Sequence, residues 1–273
     1  MMNIKRFSVH SFSGMEDLGF DKYDYSKFKY GSKRVSRLFG TELGDKFAKS
    51  LYIRDELAKI GDQDIIVCSA PYKFIPVAST ILKDYFISSF NKEWCREHNP
   101  VIDMKVSRGH SYYEDYGAMS EEERDKAINS DDFYIDSDII KDKTLVLIDD
   151  IRISGSHERR MVTLLEKANF TGNVFFVYYA SLIGKHDPTI ENKLNFAFVK
   201  NVLSIDSIVK NDEFIFNTRV VKFLLSSPEQ EFKPFIQYQS DVFRSTLITY
   251  AQGNNYHNQD EFKDNFNILI NTK

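Results

Sequence analysis

The sequence predicts an α/β fold, in which a parallel sheet forms the core and helical additions lie at the N- and C-terminal ends. Two observations carry this prediction. Amphipathic stretches with helical spacing follow or separate short apolar runs, which is the strand and helix alternation of an α/β protein. The apolar runs are rich in β-branched or aromatic residues, as buried parallel strands are, and they comprise residues 64–68, 144–148 and 174–180.

The first half of the chain supplies one strand and two helices. Residues 46–60 predict a helix, and residues 64–68 predict the first buried strand. Residues 76–90 then predict a second helix, because apolar side chains recur at helical spacing and Pro76 lies near the first turn. A weaker strand signal at residues 101–106 follows. These elements already give a strand followed by a helix.

The second half repeats the pattern around a central strand. Residues 157–170 predict a helix between the strands 144–148 and 174–180, with its apolar stripe on the sheet and with Arg159 and Arg160 facing water. The polar region 109–138 precedes this unit, and a short helix is predicted within it at residues 121–128. A loop of this length in a compact domain is usually functional or disordered. Two further helical patterns come later, at residues 220–225 and 235–249.

We expect these elements to form one compound domain, because no repeat, low-complexity tract or Pro/Gly linker divides the chain. Residues 1–60 are predicted as a partly helical N-terminal extension and residues 61–185 as the core. Residues 186–273 are predicted as a mainly helical C-terminal region.

Composition narrows the classes of function. The 273 residues are 42% hydrophobic, which suffices for a sizeable core. A formal net charge of −4 provides no basic surface for nucleic acid, so that partner is not expected. Only two cysteines are present, Cys68 and Cys95, and neither a secretory signal nor an apolar run of the about 20 residues that span a bilayer is found. We therefore expect a cytoplasmic protein that makes no membrane contact.

The central strand ends in residues that carry chemistry. Asp149 and Asp150 directly follow the apolar run, where open α/β sheets bind their ligands, and two buried carboxylates need partners. A sugar diol would donate hydrogen bonds to them, and a divalent cation shared with a diphosphate would offset their repulsion. Downstream, Ser154, Gly155 and Ser156 form a tight turn before a helix, which suits a phosphate.

Residues 145–157 resemble the phosphoribosyl-diphosphate signature of type I phosphoribosyltransferases, which is an apolar strand, two acids, a variable stretch and a hydroxyl-Gly-x-hydroxyl turn. The resemblance implies a phosphoribosyltransferase-like core in which Asp149 and Asp150 bind the ribose hydroxyls. Two positions depart from the family pattern: His157 replaces a threonine or serine, and Ile153 stands where some members have an acid that contacts the base. The resemblance implies that the 5′-phosphate is held by Ile153, Ser154, Gly155, Ser156 and His157.

Two other segments resemble the family in their order along the chain. Lys73 ends a segment that is similar to the family's pyrophosphate loop, which comprises Ser69, Ala70, Pro71, Tyr72 and Lys73. Arg108 precedes a segment that is similar to the mobile catalytic loop, which comprises Gly109, His110, Ser111 and Tyr112. Residues 25–31 and 69–73 also resemble phosphoribosyltransferase-like proteins of bacterial stress-response cassettes. The resemblance implies catalytic roles for Lys73 and Arg108, with solvated surface residues as the alternative.

The resemblance implies a Mg²⁺-dependent phosphoribosyltransferase. Such an enzyme binds phosphoribosyl diphosphate and transfers ribose 5-phosphate to a nitrogenous acceptor, and Mg²⁺ is held mainly through the ligand, near Asp149 and Asp150. One alternative is a binding or regulatory module that kept the phosphate site, and another is chemistry on a different ribose 5-phosphate compound, such as a nucleotide. Family members are often homodimers, and acceptor choice in this fold comes from a variable hood built by the chain ends. A P-loop hydrolase is excluded because its lysine-containing glycine-rich turn is absent from the sequence.

Overall fold

The computed structural model describes residues 2–108, 133–184, 187 and 189–272. It has the α/β fold that the sequence predicts, with a five-stranded parallel sheet at its centre. The strands are β1 (Asn3–Phe12), β2 (Ile65–Ser69), β3 (Ile102–Asp103), β4 (Ser107–Arg108), β5 (Phe133–Tyr134), β6 (Thr144–Arg152) and β7 (Asn173–Leu182). The sheet order is β1-β7-β6-β2-β3, and β4 and β5 form a separate antiparallel ribbon.

The helices complete the layers on both faces of the sheet. In chain order they are α1 (Lys22–Lys29), α2 (Lys33–Lys49), α3 (Leu51–Ala58), α4 (Ala78–Trp94), α5 (Ser137–Ile140), α6 (Ser156–Lys167), α7 (Thr189–Asn195), α8 (Val202–Asn211), α9 (Thr218–Leu225), α10 (Glu229–Gln237), α11 (Asp241–Gly253) and α12 (Asp260–Asn271). A 3₁₀ turn (Tyr256–Asn258) lies before the last helix. The helix predicted at residues 121–128 lies outside the described residues. Within the described part of the chain, no helix has the length and apolar character needed to cross a membrane.

The central strand β6 is longer than predicted. The apolar run ends at Ile148, but the pairing with β7 continues through Asp149 opposite Tyr178 and Arg152 opposite Ser181. The acidic pair is therefore part of the strand rather than of the loop after it. Because successive side chains of a strand point to opposite faces, the two acids are directed to different layers of the molecule.

The hydrophobic cores on the two faces of the sheet follow this alternation. Val146 and Ile148 belong to the core that includes residues of α2 and α4. Leu145 and Leu147 belong to the opposite core, which includes Met161 and other residues of α6. On the first face, α2 and α4 approach each other closely at Gly40. A Cβ added to this glycine would be only 2.5 Å from the carbonyl oxygen of Leu82. Glycine is needed at this helix contact.

The N-terminal strand β1 was not predicted. Residues 3–12 pair in parallel with β7 and form an edge of the central sheet. Phe7 and Val9 pack against one core and Ile4 packs against the other. The alternation of polar and apolar residues in this segment was the available signal.

Two helices predicted as continuous are each broken by a serine. Residues 46–60 divide at Ser50, whose hydroxyl accepts a hydrogen bond from the backbone N–H of Ile53 at 3.4 Å and caps α3. Residues 235–249 divide before Ser240, which caps α11 through the N–H of Phe243 at 3.2 Å. Both predictions of a single helix were wrong because a serine side chain can compete for backbone donors and start a new helix.

The C-terminal helices α8 to α12 bury a third hydrophobic core, which includes Phe232, Leu247 and Phe262. This core also contains Tyr30 after α1 and Ile75 after β2, which come from the first half of the chain. These two contacts attach the C-terminal helices beside the segment that follows β2. The site described below lies at this junction.

Candidate functional site

A cavity of about 450 Å³ lies at the carboxyl ends of β2 and β6. Ligands of open α/β sheets bind at this edge. The cavity is lined from two sides, by the strand ends and by the C-terminal helices. Its lining brings together these residues that the sequence analysis singled out: Ser69, Ala70, Pro71, Tyr72, Lys73, Arg108, Asp149, Asp150 and His157.

Asp150 is held by two donors from α1. Tyr25 donates its hydroxyl to Oδ2 of Asp150 at 2.5 Å, and the Nζ of Lys29 donates to the same oxygen at 2.6 Å. Burial alone would raise the pKa of Asp150, but the charge of Lys29 and the two hydrogen bonds lower it below its usual value. Asp150 is therefore a buried carboxylate whose ionised form is favoured by the internal cation beside it.

Asp149 points to the other face of the sheet and contacts a different partner. Its Oδ2 lies 3.0 Å from Nδ1 of His157, and its Oδ1 accepts the backbone N–H of Asp150 at 3.0 Å. Burial raises the pKa of Asp149, and the interaction with His157 opposes that rise. The two neighbouring acids thus differ in environment, although the sequence presents them as a pair.

The predicted phosphate turn is a tight turn at Gly155 that leads directly into a helix, as the sequence predicts. Gly155 has φ +71°, in the left-handed region that favours glycine, and α6 begins at the next residue. The hydroxyls of Ser154 and Ser156 are 2.7 Å apart, and Arg159 donates to the carbonyl oxygen of Ser154 at 2.8 Å. Ile153 packs against a hydrophobic core. Of the five residues predicted to hold a phosphate, His157 lines the cavity, whereas the four that directly precede it in the chain are not among the lining residues.

The start of α6 is fixed by a buried carboxylate. Glu158 accepts hydrogen bonds from Arg6 of β1 at 2.6 and 2.9 Å, from Arg152 of β6 at 2.9 Å and from the hydroxyl of Tyr178 on β7 at 2.9 Å. Burial works against ionisation of Glu158, but these donors lower its pKa below the usual value. The phosphate turn is consequently anchored to three strands.

The pyrophosphate loop and Arg108 are linked through the backbone. The N–H of Tyr72 donates to the carbonyl of Val106 at 3.4 Å, and the N–H of Arg108 donates to the carbonyl of Tyr72 at 3.3 Å. Lys105 donates to the carbonyl oxygen of Lys73 at 2.6 Å and lies 4.2 Å from the ring centre of Tyr72. These contacts bring Lys73 and Arg108 to the same side of the cavity.

The C-terminal helices hold the next residues of this loop. The side-chain oxygen of Asn254 accepts the N–H groups of Phe74 at 3.2 Å and Ile75 at 3.3 Å, and its amide nitrogen donates to the hydroxyl of Tyr256 at 2.9 Å. Thr218 donates to the carbonyl oxygen of Ile75 at 2.9 Å. The loop is therefore shaped jointly by the core and by the C-terminal region.

Several cavity residues had no role in the sequence analysis. Arg160 was predicted to face water, and this was wrong, because it is 7% exposed and its guanidinium lies 5.4 Å from the ring centre of Phe133. Tyr25 and Lys29 lie in the segment 25–31, which was noted only as a resemblance. The C-terminal helices add Arg219, Lys222, Phe223, Tyr256 and Glu261 to the lining. No periodicity or local motif marks these positions.

The remaining predicted site residues, Gly109, His110, Ser111 and Tyr112, lie outside the described residues. The ribbon of β4 and β5 stands on either side of that segment and joins Arg108 to Phe133. Within the part of the chain that the structure describes, no three side chains of His, Cys, Asp and Glu come together as a metal site.

Comparison with known proteins identifies a family. The model of a family described as PRTase ComF-like matches residues 4–269, nearly the whole chain. This confirms the resemblance to phosphoribosyltransferases that residues 145–157 indicated. No curated protein matches the chain.

Proposed function

The chain belongs to the family of ComF-like phosphoribosyltransferases, and from this membership we propose that it binds phosphoribosyl diphosphate and transfers ribose 5-phosphate to a nitrogenous acceptor, with release of pyrophosphate. One observation carries the proposal. The acidic pair Asp149 and Asp150 lines the same cavity as Lys73 and Arg108, although these residues come from three separate segments of the chain.

In this proposal, different groups in and near the cavity serve different parts of the ligand. The carboxylates of Asp149 and Asp150 accept hydrogen bonds from the ribose hydroxyls, and the segment from Ser69 to Lys73, with Arg108, faces the diphosphate. Backbone N–H groups at the start of α6, together with the helix dipole, favour the 5′-phosphate. Fixed donors and cations around the diphosphate stabilise the negative charge that develops as it departs.

The donor set fits a magnesium ion that arrives with the diphosphate. Asp150 is already paired with Lys29, so Asp149 is the carboxylate of the pair that can face another cation. Mg²⁺ takes six oxygen ligands, and in proteins it is usually held by one or two carboxylates together with phosphate oxygens and water. When bound, it would offset charge on the leaving diphosphate.

The C-terminal helices form the hood that faces the acceptor in this proposal. Tyr30, Phe196 and Phe223 lie together in the cavity lining, with ring centres 5.2 to 6.5 Å apart. Aromatic side chains suit a planar acceptor, because rings stack with offset or edge-on geometry. Acceptor choice is therefore assigned to this wall.

A second candidate is a module that binds the ribose phosphate without transfer. The packing of Ile153 in a core favours it, because some family members carry an acid at that position that contacts the base. The two candidates differ in pyrophosphate release. A transferase releases pyrophosphate with an acceptor present, and a binding module does not.

The experiment measures thermal stabilisation by phosphoribosyl diphosphate with Mg²⁺, and pyrophosphate release across a panel of bases and amines. Charge-assisted hydrogen bonds contribute about 1.5–3 kcal/mol each, so Asp149→Asn and Asp150→Asn should each weaken binding about tenfold or more. The exposed Asp55→Asn is the matched control and should bind as the wild-type protein does.

Stabilisation with release supports the transferase, and stabilisation without release on any acceptor supports the binding module. If phosphoribosyl diphosphate does not stabilise the wild-type protein, neither candidate stands.

A further inference from the structure

Lys29 ends α1 with its ammonium group in the wall of the cavity. Its side chain is 12% exposed, and its Nζ lies 2.6 Å from Oδ2 of Asp150. Lysine is rarely buried to this degree unless an anion accompanies it. The position of Lys29 is therefore that of an internal counter-ion.

The backbone of Lys29 is fixed from the C-terminal helices. Its carbonyl oxygen accepts the side-chain amide of Asn217 at 3.1 Å, and Asn217 is fully buried and caps α9 through the N–H of Val220. Earlier in α1, the hydroxyl of Ser26 donates to the carbonyl oxygen of Asn195 at 2.6 Å. These contacts fix the backbone from which the side chain of Lys29 extends, and Asp150 is the hydrogen-bond partner of its ammonium group.

Two donors converge on one oxygen of Asp150. Lys29 and Tyr25 both donate to Oδ2. An ionised carboxylate offers about four acceptor sites on its two oxygens. The carboxylate therefore keeps acceptor capacity for a ligand hydroxyl while its charge is compensated.

Two neighbouring carboxylates repel each other when both are ionised, and the ammonium group of Lys29 can reduce this repulsion. Two like charges in one site disfavour joint ionisation, so one acid takes up a proton or a cation must enter. A protonated acid would lose part of the acceptor capacity that a sugar diol requires. Lys29 compensates Asp150, and the imidazole of His157 lies 3.0 Å from Asp149, so both acids can remain acceptors without a cation from solution.

We propose that Lys29 is a positioning residue of the ribose site, which compensates Asp150 so that the diol of a ribose 5-phosphate binds the acidic pair without a divalent cation. The inference rests on the proposed function and extends it. Magnesium is then not needed to neutralise the acidic pair when no diphosphate is bound.

Ribose 5-phosphate is the probe, because it carries the diol and the 5′-phosphate but no diphosphate. Its affinity for the full chain is measured by calorimetric titration with Mg²⁺ and with EDTA. Equal affinity in both conditions is expected for the wild-type protein. Lys29→Met should weaken binding in EDTA about tenfold or more, because an uncompensated buried charge is left, and Mg²⁺ should restore part of the loss.

Two variants separate charge compensation from a general structural effect. Lys29→Arg keeps the cation and should retain metal-independent binding. Lys27→Met is the matched control, since Lys27 lies on the same helix with its ammonium 4.7 Å from the ring centre of Phe198, and it should behave as the wild-type protein.

Lys29→Met could fail to fold because it leaves Asp150 without its cation. The double variant Lys29→Met/Asp150→Asn removes both buried charges and controls for this effect. This double variant should fold, bind ribose 5-phosphate weakly and show no response to Mg²⁺. A gain in affinity with Mg²⁺ in the double variant would overturn the inference.

The remaining outcomes distinguish failure of this inference from failure of the proposed function. Wild-type binding that requires Mg²⁺, unchanged affinity of Lys29→Met in EDTA, or binding of phosphoribosyl diphosphate but not of ribose 5-phosphate overturns the inference alone. Failure of the wild-type protein to bind either compound overturns the proposed function, and the inference with it.

Discussion

Asp149 and Asp150 show how much two adjacent residues can differ. The alternation of strand side chains sends one acid towards His157 and the other towards Tyr25 and Lys29. The pKa of Asp149 is raised by burial, and that of Asp150 is lowered by its cation and hydrogen bonds in spite of burial. A motif that looks symmetric in the sequence is therefore asymmetric in its chemistry.

Gly155 gives the prediction at the residue scale. Gly155→Val should weaken ribose 5-phosphate binding at least tenfold, because a Cβ at this φ of +71° strains the turn and would lie 3.2 Å from the guanidinium of Arg152. The strain should also cost about 1–3 kcal/mol of unfolding free energy. Calorimetric titration and denaturant unfolding measure the two effects.

Gly61→Val is the matched control. Gly61 also has positive φ, +61°, but nothing lies within 4 Å of its added Cβ. This variant should lose similar stability and keep its affinity. Equal affinities of the two variants would contradict a phosphate-binding role for the turn.

The position of the acidic pair was signalled by residues that are contiguous in the chain. An apolar strand, two acids and a glycine turn before a helix form a local pattern, so the position of the acidic pair at the cavity could be predicted from the sequence. Lys29 could not be predicted in the same way, because 121 residues separate it from Asp150. Local patterns do not encode such long-range pairings.

At the scale of secondary structure, the segment after β2 connects the core with the C-terminal helices. Asn254 supplies one acceptor for two backbone donors, the N–H groups of Phe74 and Ile75. These residues directly follow Lys73, so the geometry of the pyrophosphate loop depends on a side chain about 180 residues away. The boundaries of β2 and α4 were close to the predicted ones. The contact between Asn254 and the segment after β2 was not predicted.

Asn254→Leu gives the prediction at this scale. It should leave the buried N–H of Ile75 without an acceptor, at a cost of about 1–3 kcal/mol, remove the acceptor of the partly buried N–H of Phe74, and displace the loop. Affinity for phosphoribosyl diphosphate should fall more than affinity for ribose 5-phosphate, which lacks the group that the loop faces. Thermal unfolding and the ratio of the two affinities measure these effects.

Asn265→Leu is the control for this experiment. Asn265 is also buried in the C-terminal region, and its amide donates to the carbonyl oxygens of Leu224, Leu225 and Ser227 at 2.7 to 3.3 Å. The variant should lose stability with an unchanged ratio of affinities. The same change of ratio in both variants would refute the specific link from Asn254 to the loop.

At the scale of the whole molecule, Glu158 joins three strands to one helix. Its partners Arg6, Arg152 and Tyr178 lie on β1, β6 and β7, so one carboxylate connects the edge of the sheet to its centre. The pKa of Glu158 is lowered from its usual 4.5, because donors to the ionised form outweigh burial. Ionisation of this group therefore stabilises the folded chain.

The lowered pKa of Glu158 in the folded chain determines how stability depends on pH. Stability from Glu158 is fully present above the pKa of the unfolded chain, near 4.5, and is lost as the pH falls through the lower pKa of the folded state. Glu158→Gln should cost about 1–3 kcal/mol at pH 7 and flatten the decline of stability in acid. Denaturant unfolding between neutral and acidic pH measures both.

Glu93→Gln is the matched control, since Glu93 forms an exposed ion pair with Arg96 at 3.0 Å. Exposed pairs of this kind contribute little, so the control should keep the stability and acid dependence of the wild-type protein. A Glu158→Gln profile parallel to the wild-type profile would contradict the linkage.

The pairing of β1 with β7 has a consequence for biosynthesis. Asn3 lies opposite Asn173, so the first strand leaves the ribosome long before its neighbour exists. Asn217, which fixes the backbone of Lys29, is translated later still. A nascent chain that already contains the turn at Gly155 therefore still lacks the side chain that fixes the backbone of Lys29. Under the proposed function, the acidic pair would reach its final surroundings only after most of the polypeptide has emerged.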